Sequence, residues 1–94
     1  MKKLFPLHHP RKADGRVLDA IKHEVRKYVK RELNKLEAEG ARRHTFNCRV
    51  GASEDNAQET SLKNISAAID RVAKEGGDDV FIAIKPTRLE EPNR

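Results

Sequence analysis

Apolar residues recur through the first half of the chain at helical spacing. Leu18, Ile21, Val25, Tyr28, Val29 and Leu36 share one stripe, because residues three and four apart stack on the same face of a helix. The pattern predicts a helix from about Gly15 to Glu39, capped by Asp14 and stopped by the left-handed freedom of Gly40. A straight helix of that length reaches about 36 Å at ~1.5 Å per residue. After it the period changes to two. From Arg43 to Gly51, His44, Phe46, Cys48 and Val50 alternate with Thr45, Asn47 and Arg49, which marks a half-buried strand. The same logic reads Lys2 to Leu7 as a short strand ended by Pro6 and His8-His9-Pro10, and Val80 to Ile84 as the most strand-like segment, closed by Pro86.

Between these strands lies a second helix, opened by Ser61 or Lys63. It carries Leu62, Ile65, Ala68, Ile69 and Val72 on one side and ends at Gly76-Gly77. Gly51 to Asn56 reads as a turn, and Ala57 to Leu62 as a weak, polar strand that returns beside its predecessor. The order β-α-β-(β)-α-β predicts an α+β fold with two helices on one face of a three- or four-stranded, mainly antiparallel sheet. If Ala57 to Leu62 pairs, the arrangement is ferredoxin-like. Residues 1–88 are expected to form one domain and 89–94 a mobile charged tail. The expected core is Phe5, Ile21, Val25, Phe46, Val50, Ile65, Ile69, Val72, Ile82 and Ile84.

With 36% apolar and 37% charged residues among 94, that core must be modest and confined to the inner faces of the elements. The overall charge of +5 conceals an asymmetry. Residues 1–35 carry eleven Lys/Arg against four Asp/Glu, a net +7, and the remainder is −2. The excess lies on the helix face opposite the apolar stripe, at Lys22, Arg26, Lys27, Lys30 and Arg31. Several of these are like-charge i,i+4 pairs, each unfavourable by about 0.2 to 0.5 kcal/mol. A surface that repels itself gains from an anionic partner. The lone Cys48 excludes an internal disulfide. The short apolar stretch Leu4 to Leu7 suits neither a signal peptide nor a membrane span, so a cytoplasmic setting with no membrane contact is expected.

Lys2-Lys3 with Phe5, Leu7, His9 and Pro10, the run Ala20 to Tyr28 with Lys30-Arg31-Glu32, then Phe46, Cys48-Arg49, Gly51 and Ala68-Ile69-Asp70 together resemble a family of small bacterial proteins that form a domain of unknown function. The helix motif is the most specific part of the resemblance. It implies a bacterial cytosolic protein and brings no activity with it.

Reaction chemistry is sparse. Gly-x-Gly-x-x-Gly and Gly-x-x-x-x-Gly-Lys are both absent, which removes the backbone phosphate cradles of nucleotide-dependent enzymes. His44 and Cys48 are four apart on a strand, roughly 13 Å at ~3.3 Å per residue, too far to act as nucleophile and base. Core packing is the simpler role for Cys48. His8 and His9 point to opposite sides of extended backbone, and with His23 they match no metal-ligand spacing, so no metal or cofactor is expected. His23 reads as a solvated residue of the helix surface, and Glu24 and Glu32 would act as acids or bases only if buried beside a pocket.

A non-catalytic binder is therefore expected. Its partner would be RNA or another polyanion, held by Lys22, Arg26, Lys27, Lys30 and Arg31 with Lys2, Lys3, Arg11 and Lys12 nearby. Three Phe and one Tyr leave little for base stacking, so contacts would go to backbone and shape. The alternative is a protein-interaction or homodimerisation module that uses the sheet face. An acidic protein would suit the same helix.

Overall fold

The computed structural model describes residues 1–40 and 44–88. In chain order its elements are β1 Lys2–Pro6, α1 Asp14–Ala38, β2 His44–Gly51, β3 Gln58–Thr60, α2 Ile65–Lys74 and β4 Asp79–Arg88. A single 3-10 turn, Leu62–Asn64, precedes α2 and is capped by Ser61, whose hydroxyl accepts the Asn64 N–H at 3.2 Å. The expected tail 89–94 and the expected first strand residue Arg43 lie outside the described residues.

The fold is α+β, with four strands in the order β1-β4-β2-β3 and every neighbouring pair antiparallel. The segment after the turn does pair, though only Gln58–Thr60 of it, against Cys48, Arg49 and Val50. Both βαβ units are split, as in a ferredoxin-like sheet. Here, however, β4 separates β1 from β2 and β2 separates β3 from β4, so the centre belongs to β2 and β4. The reason is hydrophobic content. β4 brings Val80, Ile82 and Ile84 to the inner face, whereas β1 contains a proline and β3 is short and polar.

Prolines settle at the sheet margins. Leu7 N–H donates to Asp78 and Ile84 N–H donates to Met1, so odd-numbered residues of β1 face β4 and Pro6 turns its missing N–H outward. Pro86 does not close β4 as expected. It lies opposite Phe46, and by the alternation that sends Ile84 N–H toward β1 its nitrogen points away from the ladder with β2. No ladder bond is lost there, so the strand continues to Arg88.

One face of the sheet is covered. Phe5 and Leu7, Cys48 and Val50, and Val80, Ile82 and Ile84 form one buried cluster with Val17, Ile21 and Val25 of α1 and Ile65, Ala68, Ile69 and Val72 of α2. Phe46, expected inside, is half-buried at the margin of this cluster, as are Leu18, Tyr28 and Val29. The expectation that Asp14 caps α1 is corrected: Ala13 is the cap residue and makes no side-chain bond, while Asp14 is the first helical residue. Its carboxylate turns to His8 Nδ1 at 3.1 Å instead.

The opposite face carries no helix among the described residues. Phe81 lies on it, between Leu4 and Gly51, yet is only 5% exposed. The turn after Gly51 is anchored on the same face. Glu54 reaches Lys2 of β1 at 2.8 Å and takes Arg49 Nη2 on its carbonyl at 3.2 Å. These two contacts tie the turn to β1 and to β2 on this face, with β4 between them.

Candidate polyanion interface

The register of α1 decides which basic residues remain available. Val17, Ile21 and Val25 point into the core, which turns Arg26, Lys27, Lys30 and Arg31 to solvent, and all four are exposed. None of them forms an ion pair among the described residues. They fall within six consecutive positions, a rise of about 8 Å. Arg31 also rests over the Tyr28 ring, 5.9 Å from its centroid.

Lys22 is different. Its ammonium meets Asp70 of α2 at 2.7 Å and its side chain is 19% exposed. It therefore ties the two helices together and leaves the strip. Such a partly exposed pair contributes under about 1 kcal/mol, but it removes the unfavourable approach of Lys22 to Arg26. Sequence reading, limited to pairs within one helix, has no signal for it.

The edge of α1 nearest β1 is knitted to the sheet. Glu24 pairs with Lys3 at 3.1 Å, and Lys3 sits 4.8 Å from the centre of the Phe5 ring. The Met1 amino group donates to Tyr28 Oη at 2.9 Å and to the Ile84 carbonyl at 2.8 Å. Partial burial lowers the basicity of that amine, which Glu32 partly restores. Burial is also the main reason why the Tyr28 hydroxyl is held above its ordinary range, with Glu32 adding to it and Arg31 opposing.

Other candidate residues are not brought together. His44 packs edge-on against Phe46, with ring centres 6.3 Å apart. Cys48 is 2% exposed, and burial pushes its thiol up, away from a reactive thiolate. His9 Nδ1 accepts the Arg11 N–H at 3.0 Å, and His23 is exposed on α1. Among the described residues no three His, Cys, Asp or Glu converge as a metal site.

His8 supplies a pH dependence. Its hydrogen bond to Asp14, and then the charge of that carboxylate, raise its pKa, with smaller help from the Gly77 carbonyl and Asp78 against a slight desolvation. A folded pKa above the unfolded value stabilises fully below about 6.5 and loses its contribution as pH rises through the folded pKa. The variant His8→Ala should therefore melt slightly below wild type at pH 5.5 and together with it at pH 8.5, as read by circular dichroism. A gap that grows with pH would contradict the assignment.

These observations define a small α+β protein with an open sheet on one side and a cationic helix surface on the other. The chain belongs to a family of unknown function, DUF6172, whose model matches residues 1–91. No curated protein and no solved structure matches it. No helix among the described residues is long and apolar enough to cross a membrane.

Proposed function

We propose that the protein binds RNA through the outer face of α1, using Arg26, Lys27, Lys30 and Arg31, in the bacterial cytoplasm. The observation that supports this reading is the set of four exposed cations without an ion-pair partner among the described residues. Four phosphate contacts to a single strand correspond to a slope of log affinity on log salt near −3, or about fifty-fold weaker binding at 200 than at 50 mM salt. The binding is to phosphate and reads little sequence, because Tyr28 lies partly under Arg31 and no aromatic stands free beside the strip.

Titration of mixed single-stranded RNA at about 50 mM salt, where the contacts are strongest, tests the reading. Arg26→Glu with Lys30→Glu should abolish binding and leave the melting temperature unchanged or slightly raised, since both side chains face solvent and the reversal removes a like-charge i,i+4 pair. No binding by wild type, or binding untouched by the double reversal, would return this face to ordinary solvated surface. A homodimer through the open sheet face has less support. Leu4, 50% exposed, is the one large hydrophobic exposed among the described residues, and both sheet edges are blunted, one by Pro6 and one by the brevity of β3.

A further inference from the structure

The open sheet face holds a second arrangement of polar groups, on the side of the molecule away from α1. Lys2, Ala83 and Arg49 lie abreast on β1, β4 and β2, and Lys85 follows Ala83 two residues along on the same face. Strand spacing puts Lys2 and Arg49 about 10 Å apart, with a methyl group between them as floor. Lys85 stands diagonally from both, roughly 7 to 8 Å away. Because alanine is small where its neighbours are long, the face opens there into a cleft of about 700 Å³, within the roughly 300 to 1,000 Å³ of small-ligand sites.

The two ends of this cleft differ. At one end Lys85 has no ion-pair partner among the described residues, and Lys2, whose side chain is 65% exposed where that of Lys22 is 19%, keeps ammonium donors open to solvent beyond its pair with Glu54 at 2.8 Å. On the β2 and β3 side Asn47, Arg49 and Glu59 present donors and a carboxylate acceptor, with Glu59 directly across from Arg49 and Asn47 directly across from Lys85. Arg49 is held by the Glu54 carbonyl and Asn47 by Thr87 Oγ1 at 3.1 Å. A ligand that satisfies both ends carries an anion on one side and a flat polar edge with an N–H donor on the other.

We propose that this cleft binds a nucleoside monophosphate, with its phosphate between Lys2 and Lys85 and its base over Ala83, edge toward Asn47, Arg49 and Glu59. The phosphate is taken by side-chain cations, which fits the absence of any glycine cradle in the sequence. The site is independent of the α1 strip. An ion on Lys85 alone would need neither the gap at Ala83 nor the acceptor at Glu59.

Titration of the intact protein with adenosine 5′-monophosphate, followed by amide and guanidinium NMR shifts, tests the proposal. Expected are saturable shifts centred on Arg49, Ala83 and Lys85, with dissociation in the millimolar range or tighter, and binding of inorganic phosphate and of adenosine each at least about tenfold weaker. Ala83→Leu, whose side chain faces solvent on a strand, should fill the floor and lower affinity at least about tenfold, and Lys85→Ala should do the same without touching the floor. No shift at about 10 mM nucleotide, shifts centred on Arg26 to Arg31, equal binding of inorganic phosphate, or wild-type affinity in both variants would each overturn it. Binding that survives Arg26→Glu with Lys30→Glu separates this site from the RNA-binding face.

Discussion

Replacing Ile69 by alanine should lower the unfolding free energy by about 2 to 5 kcal/mol, the range for truncating a buried aliphatic side chain that leaves a cavity. Ile69 is 0% exposed and sits mid-way along α2, between Ile65 and Val72, on the face that packs against β2 and β4. In a protein of this length such a loss lowers the melting temperature by on the order of 10 to 30 °C. It approaches the whole stability of a marginal domain, about 5 to 15 kcal/mol. The neighbouring Ser66 is exposed, so Ser66→Ala should stay within about 0.5 kcal/mol of wild type. Urea unfolding of the two variants checks both numbers. A loss below about 1 kcal/mol for Ile69→Ala would mean that α2 is seated by other residues.

The second large effect is expected at a glycine whose conformation is unremarkable. A Cβ on Gly51 would meet Ala57 Cα at 2.6 Å, the Asn56 carbonyl oxygen at 2.7 Å and Ala57 N at 2.8 Å. All three are backbone atoms, so no side chain can swing aside, and the turn itself must move. Gly51→Ala should therefore destabilise by about 1 to 3 kcal/mol, the range for forcing extra volume into packed surroundings. It should also loosen Glu54 from Lys2, which lysine side-chain NMR would report. Gly15→Ala is the contrasting case. Nothing lies within 4 Å of its added Cβ and the residue is helical, so the same change there should stabilise by up to about 1 kcal/mol. Equal effects at the two positions would remove the steric account of Gly51.

Periodicity revealed the elements because burial on one face leaves a local signature. Val25 and Ile21 on α1, Ile65 to Val72 on α2, and Val80 to Ile84 on β4 are all where their spacing put them. Boundaries were less legible. Pro86 reads as a stop because an isolated strand does not show which side its ladder with β2 lies on, and Asp14 reads as a cap because its competing partner, His8, is set by the loop between β1 and α1. The candidate strip on α1 was legible as a set of five and became a set of four once α2 brought Asp70 beside Lys22. The cleft around Ala83 has no signal along the chain, since its walls come from all four strands, with residues separated by up to 83 positions, Lys2 to Lys85.

The amino-acid sequence by itself determined the helices, the strands, the basic face of α1 and the α+β class, because each depends on side chains a few residues apart. Only the tertiary structure decided that β2 and β4 take the centre of the sheet, that Lys22 is neutralised across the helix pair, and that Glu54 in the turn after Gly51 reaches back to Lys2 of β1. Those outcomes depend on which apolar faces find each other and on which charges meet as a result. Such contacts join residues far apart in the chain, and no local period encodes them.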